Sequence, residues 1–155
     1  MKVKNIKHAH EVFTTLTKAL NEKQLKYTAE TENFAVNLRF CGNDLEFDLS
    51  ISVLCDPCVI CIKSEIPFII EKQKATVFSV ATCLANNALV LGNFDYDKNT
   101  GSLTYKCVTT YENCILGYGT FYYLIENACY AIERFNDKFF ALNLGHLTLE
   151  NFMKG

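Results

Sequence analysis

From Leu45 to Val53 the chain alternates without a break. Leu45, Phe47, Leu49, Ile51 and Val53 are apolar, and Glu46, Asp48, Ser50 and Ser52 between them are polar. Side chains of a strand point alternately to its two faces, so this segment reads as a strand with one wholly apolar face. A one-residue slip would bury both carboxylates, which fixes the register. The flanking segments repeat the pattern. Phe34, Val36, Leu38 and Phe40 oppose Asn33, Asn37 and Arg39 before a Gly42-Asn43 hairpin signal. After the turn signal Asp56-Pro57, Cys58, Ile60 and Ile62 alternate with Val59, Cys61 and Lys63. Three antiparallel strands joined by tight turns make a meander, and its apolar face requires a cover. Residues 25–30 are the candidate for one more short strand.

The cover is expected to be helical. Ile6, Ala9, Phe13, Leu16 and Leu20 recur at spacings of three and four, which predicts an amphipathic helix over about 5–23. Val77, Ala81, Leu84, Ala88 and Leu91 predict a second over about 71–90, after an extended segment with Ile66-Pro67. Phe121, Leu124, Ala128, Ile132, Phe135, Phe139 and Leu142 keep the helical period for about six turns, following a loop with Gly117 and Gly119. Gly145 suits the stop, and Thr148 is placed to cap a last short turn carrying Leu149 and Phe152. With a hairpin between the second and third helices, the order is α-β-β-β-α-β-β-α. That order predicts an α+β fold, a mainly antiparallel sheet with helices packed on it. At 155 residues, half of them hydrophobic, residues 1–155 are expected to form a single domain with a substantial core.

Charge narrows the function classes. The net charge is -2 with the signs interspersed. Lys2, Lys4 and Lys7 form the only basic cluster and read as a solvated end, so nucleic-acid binding is not expected. Residues 1–25 hold no apolar run like a signal peptide, and the most apolar window, Val77–Leu91, is interrupted by Thr82, Asn86 and Asn87. A cytoplasmic protein without membrane contact is expected. The eight cysteines mostly occupy apolar-periodic positions and read as small buried hydrophobes in a reducing compartment.

The stretch from Leu84 to Lys106 carries the most specific pattern. A helix ends at Gly92, where φ > 0 is expected. Phe94 and Tyr96 alternate with Asn93, Asp95 and Asp97, Asp97 to Gly101 has turn chemistry, and Leu103, Tyr105 and Cys107 face away from Thr104 and Lys106. Asn86 with Leu89, then Gly92, Phe94, Asp95, Gly101 and the pair Tyr105-Lys106 resemble the motif of the YbjN family of bacterial proteins, whose fold is similar to that of type III secretion chaperones. The resemblance covers about residues 8–145. It implies a non-enzymatic, chaperone-like or regulatory domain that binds a protein partner or peptide segment, works as a homodimer and needs no cofactor. These motif residues describe a helix-to-hairpin junction, and no catalytic residue comes with them.

Other constellations are weaker. Cys55, Cys58 and Cys61 have metal-like spacing, which raises the alternative of a thiol-based redox or metal-sensing protein. A fourth ligand is absent locally, so His8, His10 or Cys83 would have to arrive through the fold. Cys58 and Cys61, three apart on a strand, should point to opposite faces, whereas Cys55 and Cys58 flank a turn. Glu126 and Glu133 share a helix face near Arg134 and Asp137 and read as solvated. His8, His10 and His146 lie near the termini with no local nucleophile. Gly117-Tyr118-Gly119 is too short for a phosphate loop. Tyr118, Phe121, Tyr122 and Tyr123 are candidates for a binding groove, although helical spacing more often means core.

Overall fold

The alternating segments pair as strands whose apolar faces need a cover. The computed structural model of the protein describes residues 3–42 and 45–154, and of residues 3 and 4 the backbone alone. Lys2 and the Lys4 side chain of the basic cluster, and Asn43 of the first turn signal, lie outside the described residues. β1 (Tyr27–Glu30), β2 (Ala35–Cys41), β3 (Glu46–Cys55) and β4 (Cys58–Glu65) form an antiparallel meander. β5 (Asn93–Asp97) and β6 (Ser102–Thr110) join it through β6, giving a six-stranded antiparallel sheet of order β1-β2-β3-β4-β6-β5. The candidate strand near 25–30 is therefore real and extends the expected order by one.

Three helices supply the cover. α1 (Val3–Glu22) packs on β3, α2 (Ala75–Asn87) on β5, and α3 (Tyr118–Leu144) on β6 and against α1. Phe47, Leu49, Ile51 and Val53 are buried beneath them, while Glu46 and Asp48 are exposed on the open face. Leu45 precedes the strand and is only half-buried. Every residue of the predicted α3 stripe, from Phe121 to Leu142, is buried. Phe135 and Phe139 pack with Phe94 and Phe152 in an aromatic cluster, with ring centroids 5.1–6.2 Å apart.

The structure corrects several local expectations. In α2 the buried residues are Phe78, Ala81, Thr82 and Ala85, whereas Val77 is 37% exposed. Residues 75–87 carry no charge, so periodicity alone left the helix free to rotate, and the larger Phe78 takes the core position. The α-helix also starts later than expected, after a 3-10 turn at Lys72–Lys74, and Ala88 and Leu91 pack on the core from beyond its end. Ile6 is exposed. Phe34 sits before β2 at φ 50°, closing a 3-10 turn at Thr31–Asn33. Gly119 lies inside α3, with Gly117 as its N-cap. Thr148 caps Leu149–Asn151 through its carbonyl, which accepts from Asn151 N–H, and its side chain makes no capping bond.

Candidate protein-binding surface

The motif residues from Asn86 to Lys106 converge on one joint. Asn86, in the last turn of α2, donates from Nδ2 to the Phe94 carbonyl (3.0 Å), and its Oδ1 accepts from Phe94 N–H (2.7 Å). A side chain thus supplies both partners of a ladder rung and fixes where β5 begins. Gly92 has φ 76°, the left-handed region where a Cβ is penalised. A Cβ there would lie 2.6 Å from Tyr105 Cζ. Tyr105 is fully buried and its hydroxyl donates to the Leu91 carbonyl at 3.1 Å. Burial pushes this phenol well above the usual tyrosine range. Gly101, at φ 76°, closes the hairpin by donating to the Asp97 carbonyl (2.7 Å) and accepting from Ile70 N–H (2.9 Å). Phe94 is core, Leu89 is half-buried, and Asp95 and Lys106 lie on the open face of the sheet. Asn86, Gly92, Gly101 and Tyr105 thus tie the end of α2, the start of β5 and the β5–β6 turn together.

The cysteines do not assemble into one centre. Cys55 and Cys58 are register partners across the two-residue turn, and the Cys58 thiol donates to the Cys55 carbonyl at 3.4 Å. Burial, then Cys58 and Asp56, pushes the Cys55 thiol up. Cys61 pairs with Ser52 and Val108 on the open face, opposite the face of Ile60 and Ile62. Among the described residues no three His, Cys, Asp or Glu side chains are placed to hold a metal ion. The fold does bring His8 to a cavity of about 440 Å³ shared with Cys58, Glu11 and Glu112. Its Nε2 lies 3.2 Å from the Cys114 carbonyl, and its ring packs edge-on to Tyr111. His10 packs against Phe34, while Cys83, Glu126, Glu133 and His146 are exposed.

A concave apolar surface forms elsewhere. Leu25, Phe40, Tyr122, Ile125 and Cys129 line a groove of about 340 Å³ between the end of α1, β2 and α3, with Lys23 and Glu126 beside them. That is the low end of the size range of ligand clefts. The Tyr122 hydroxyl lies 2.7 Å from Glu22 Oε2 and 3.1 Å from the Ala19 carbonyl, which fixes the ring as one wall. Burial raises the Cys129 thiol to about 11, with Glu133 adding to the shift. Of the aromatic set on α3, Tyr122 lines the groove, Phe121 is core, and Tyr118 and Tyr123 are exposed. Sequence reasoning missed Leu25 and Phe40. The available signal was that Phe40 ends the apolar alternation of β2 and that Leu25 follows just after the expected end of α1. Val77 and Val80 add exposed apolar surface on α2. No helix among the described residues is long and apolar enough to cross a membrane.

No family model matches the sequence, and no curated protein matches it. Among solved structures, YbjN from E. coli, described as a proposed transcription regulator, is similar with a TM-score of 0.59 at 13% identity, over 81% of this chain and 91% of its own. A chain of the ExsC–ExsE complex is similar over 80% of this chain and 92% of its own, at 12% identity and with a TM-score of 0.49. The first likeness speaks for architecture, and it agrees with the resemblance carried by the Asn86–Lys106 junction: the chain has the YbjN fold.

Proposed function

We propose that the protein is a non-enzymatic binding domain, chaperone-like or regulatory, that buries an apolar segment of a partner protein in the groove between α1, β2 and α3. The observation that carries this reading is the groove itself: Leu25, Phe40, Ile125 and Cys129 form a concave apolar surface with fixed walls. Its chemistry is desolvation without bond making, which needs no cofactor. A cytoplasmic homodimer folding as one domain belongs to the same reading. A photo-reactive side chain at Leu25 or Phe40 in the native host tests it. Cross-linking to a partner from those positions, and none from the exposed Thr28, is expected; equal yields from all three would refute the groove.

The directly opposed Cys55 and Cys58 favour a second reading, a dithiol redox pair. A reversible disulfide between Cys55 and Cys58 in the native protein would replace the first reading with this one.

A further inference from the structure

The β3–β4 ladder stops in mid-sheet. Its register runs from Cys55↔Cys58 to Ser50↔Lys63 and ends there. Yet β3 continues to Glu46, paired with β2 as far as Cys41↔Glu46, and β4 continues to Glu65, paired with β6 at Glu65↔Thr104. Beyond β4 the chain still follows β6, since Ile66 N–H donates to the Leu103 carbonyl and Ile70 N–H to the Gly101 carbonyl. The two halves of the sheet therefore part. A cleft of about 590 Å³ opens between them, lined by Arg39, Glu46, Phe47 and Asp48 on one side and Glu65 to Ile69 on the other.

Two features of the sequence keep the ladder from closing. Continued in register, its next rungs would set Asp48 opposite Glu65 and Glu46 opposite Pro67. Like charges directly opposed destabilise a pair, and proline has no N–H to give. Main-chain groups are left facing the gap. The bonds Gly42 N–H to Leu45 C=O and Val53 N–H to Phe34 C=O show that odd-numbered β3 residues bond toward β2. The even ones, Glu46 and Asp48, therefore present N–H and C=O to the cleft. Ile66 bonds toward β6, so Glu65 presents its own from the other wall. The walls carry three carboxylates, Glu46, Asp48 and Glu65, against one guanidinium. That guanidinium, of Arg39, is spent in a two-pronged pair with Asp48 at 2.7 and 2.9 Å. Half-buried Phe68 and exposed Ile69 supply the apolar side, Phe47 and Ile66 being buried behind the cleft, and Lys63 marks the closed end where the strands rejoin.

We propose that this split receives an extended segment of a partner protein in which basic residues alternate with apolar ones, added as a strand along Glu46–Asp48. The main-chain groups would give affinity, and the alternation would set a Lys or Arg beside Glu46 and Glu65, the wall carboxylates that Arg39 does not neutralise, with apolar neighbours toward Phe68 and Ile69. The inference rests on the protein-binding reading but places this recognition at a second surface. A short capped peptide alternating Lys and Val is the probe, with its Glu–Val counterpart as control. Binding is read from backbone amide resonances and hydrogen exchange. The Lys–Val peptide should slow exchange at Glu46, Asp48 and Glu65, and bind at least about tenfold tighter than the Glu–Val peptide, the discrimination available to close charge pairs. Glu65→Lys should remove that preference while leaving the remaining amide spectrum, and hence the fold, unchanged. Equal binding of the two peptides, or a preference that survives Glu65→Lys, would overturn the proposal. So would protection of the cleft amides by a second copy of the chain, seen as concentration dependence without peptide. Binding confined to the Leu25–Phe40 groove would overturn it too, while leaving the proposed function standing.

Discussion

Two glycines share a backbone conformation and differ in surroundings, which allows steric cost to be separated from conformational cost. Gly92 and Gly145 have φ 76° and 78°. A Cβ on Gly145 would meet nothing within 4 Å, whereas one on Gly92 would lie 2.6 Å from Tyr105 Cζ and 2.9 Å from Cε2. Alanine at Gly145 should cost only the left-handed penalty, about 1–2 kcal/mol. At Gly92 the same penalty applies, and the buried Tyr105 ring must also shift. Phe94 packs edge-on to that ring at 5.6 Å, and the hydroxyl bonds to the Leu91 carbonyl. Overpacking at about 1–3 kcal/mol and the hydrogen bond at about 1 kcal/mol bring Gly92→Ala to about 3–6 kcal/mol. Gly92→Val, with a branched side chain, should be worse. Urea unfolding followed by far-ultraviolet circular dichroism gives both values on the same protein. In the double variant Gly92→Ala/Tyr105→Phe the hydroxyl no longer competes for space, so the combined cost should be less than the sum of the two single changes. Equal losses for Gly92→Ala and Gly145→Ala would refute the role given to Tyr105.

Phe135→Ala should cost about 3–5 kcal/mol, because its ring sits between Phe94, Phe139 and Phe152; an unchanged denaturation midpoint would show that the α3 stripe is not core. Asn86→Ala removes both side-chain partners of Phe94 and should cost about 1–3 kcal/mol, with faster exchange at the Phe94 amide than at the Tyr105 amide as the site-specific readout. Replacing Cys55, Cys58 and Cys61 together by Ala should lower stability by about 1–3 kcal/mol and leave partner cross-linking at Leu25 intact; loss of cross-linking from a folded variant would favour the redox reading. Stability should fall at alkaline pH. The Cys129 thiol rises from 9.0 unfolded to about 11 folded, so its contribution is present below about 9 and lost as pH climbs to about 11. The raised phenols of Tyr105, Tyr111 and Tyr122 act in the same direction, so Cys129→Ala should flatten the thermal-midpoint curve over that range only in part.

Much of the sheet and of α3 was legible because those segments carry contrast. In β3 each apolar side chain is flanked by polar ones, so only one register keeps Glu46 and Asp48 in water. In α3 the stripe from Phe121 to Leu142 is set off by Glu126, Glu133 and Asp137. α2 lacks that contrast, and with no charge between Lys74 and Asp95 its sequence fits more than one rotation about the helix axis. The choice of Phe78 over Val77 comes from its contacts with Tyr96 and Phe139, which lie in other elements. The Gly92 conformation was legible for the opposite reason: it follows from the local need to stop a helix before a strand.

Binding surfaces are harder to read, because they arise where a neighbour is missing and periodicity reports only where neighbours are present. The groove draws Leu25 from the connection after α1, Phe40 from β2 and Tyr122 from α3, and no local pattern links them. The split sheet is the sharper case. The alternation of β3 runs unbroken through Glu46 and Asp48, and that of β4 runs through Lys63 and Glu65, so each strand alone reads as fully paired. Only the register sets Asp48 against Glu65 and Glu46 against Pro67. Once Cys55 is opposite Cys58, every later rung follows by counting. Ile66 and Ile70 then settle where the chain goes: both are buried, and both donate to the β6 side. Their burial holds the second half of β4 to β6 and away from β3. The same residues that complete the core thus keep the cleft open, and its acidic walls follow from the charges that a closed ladder would have had to oppose.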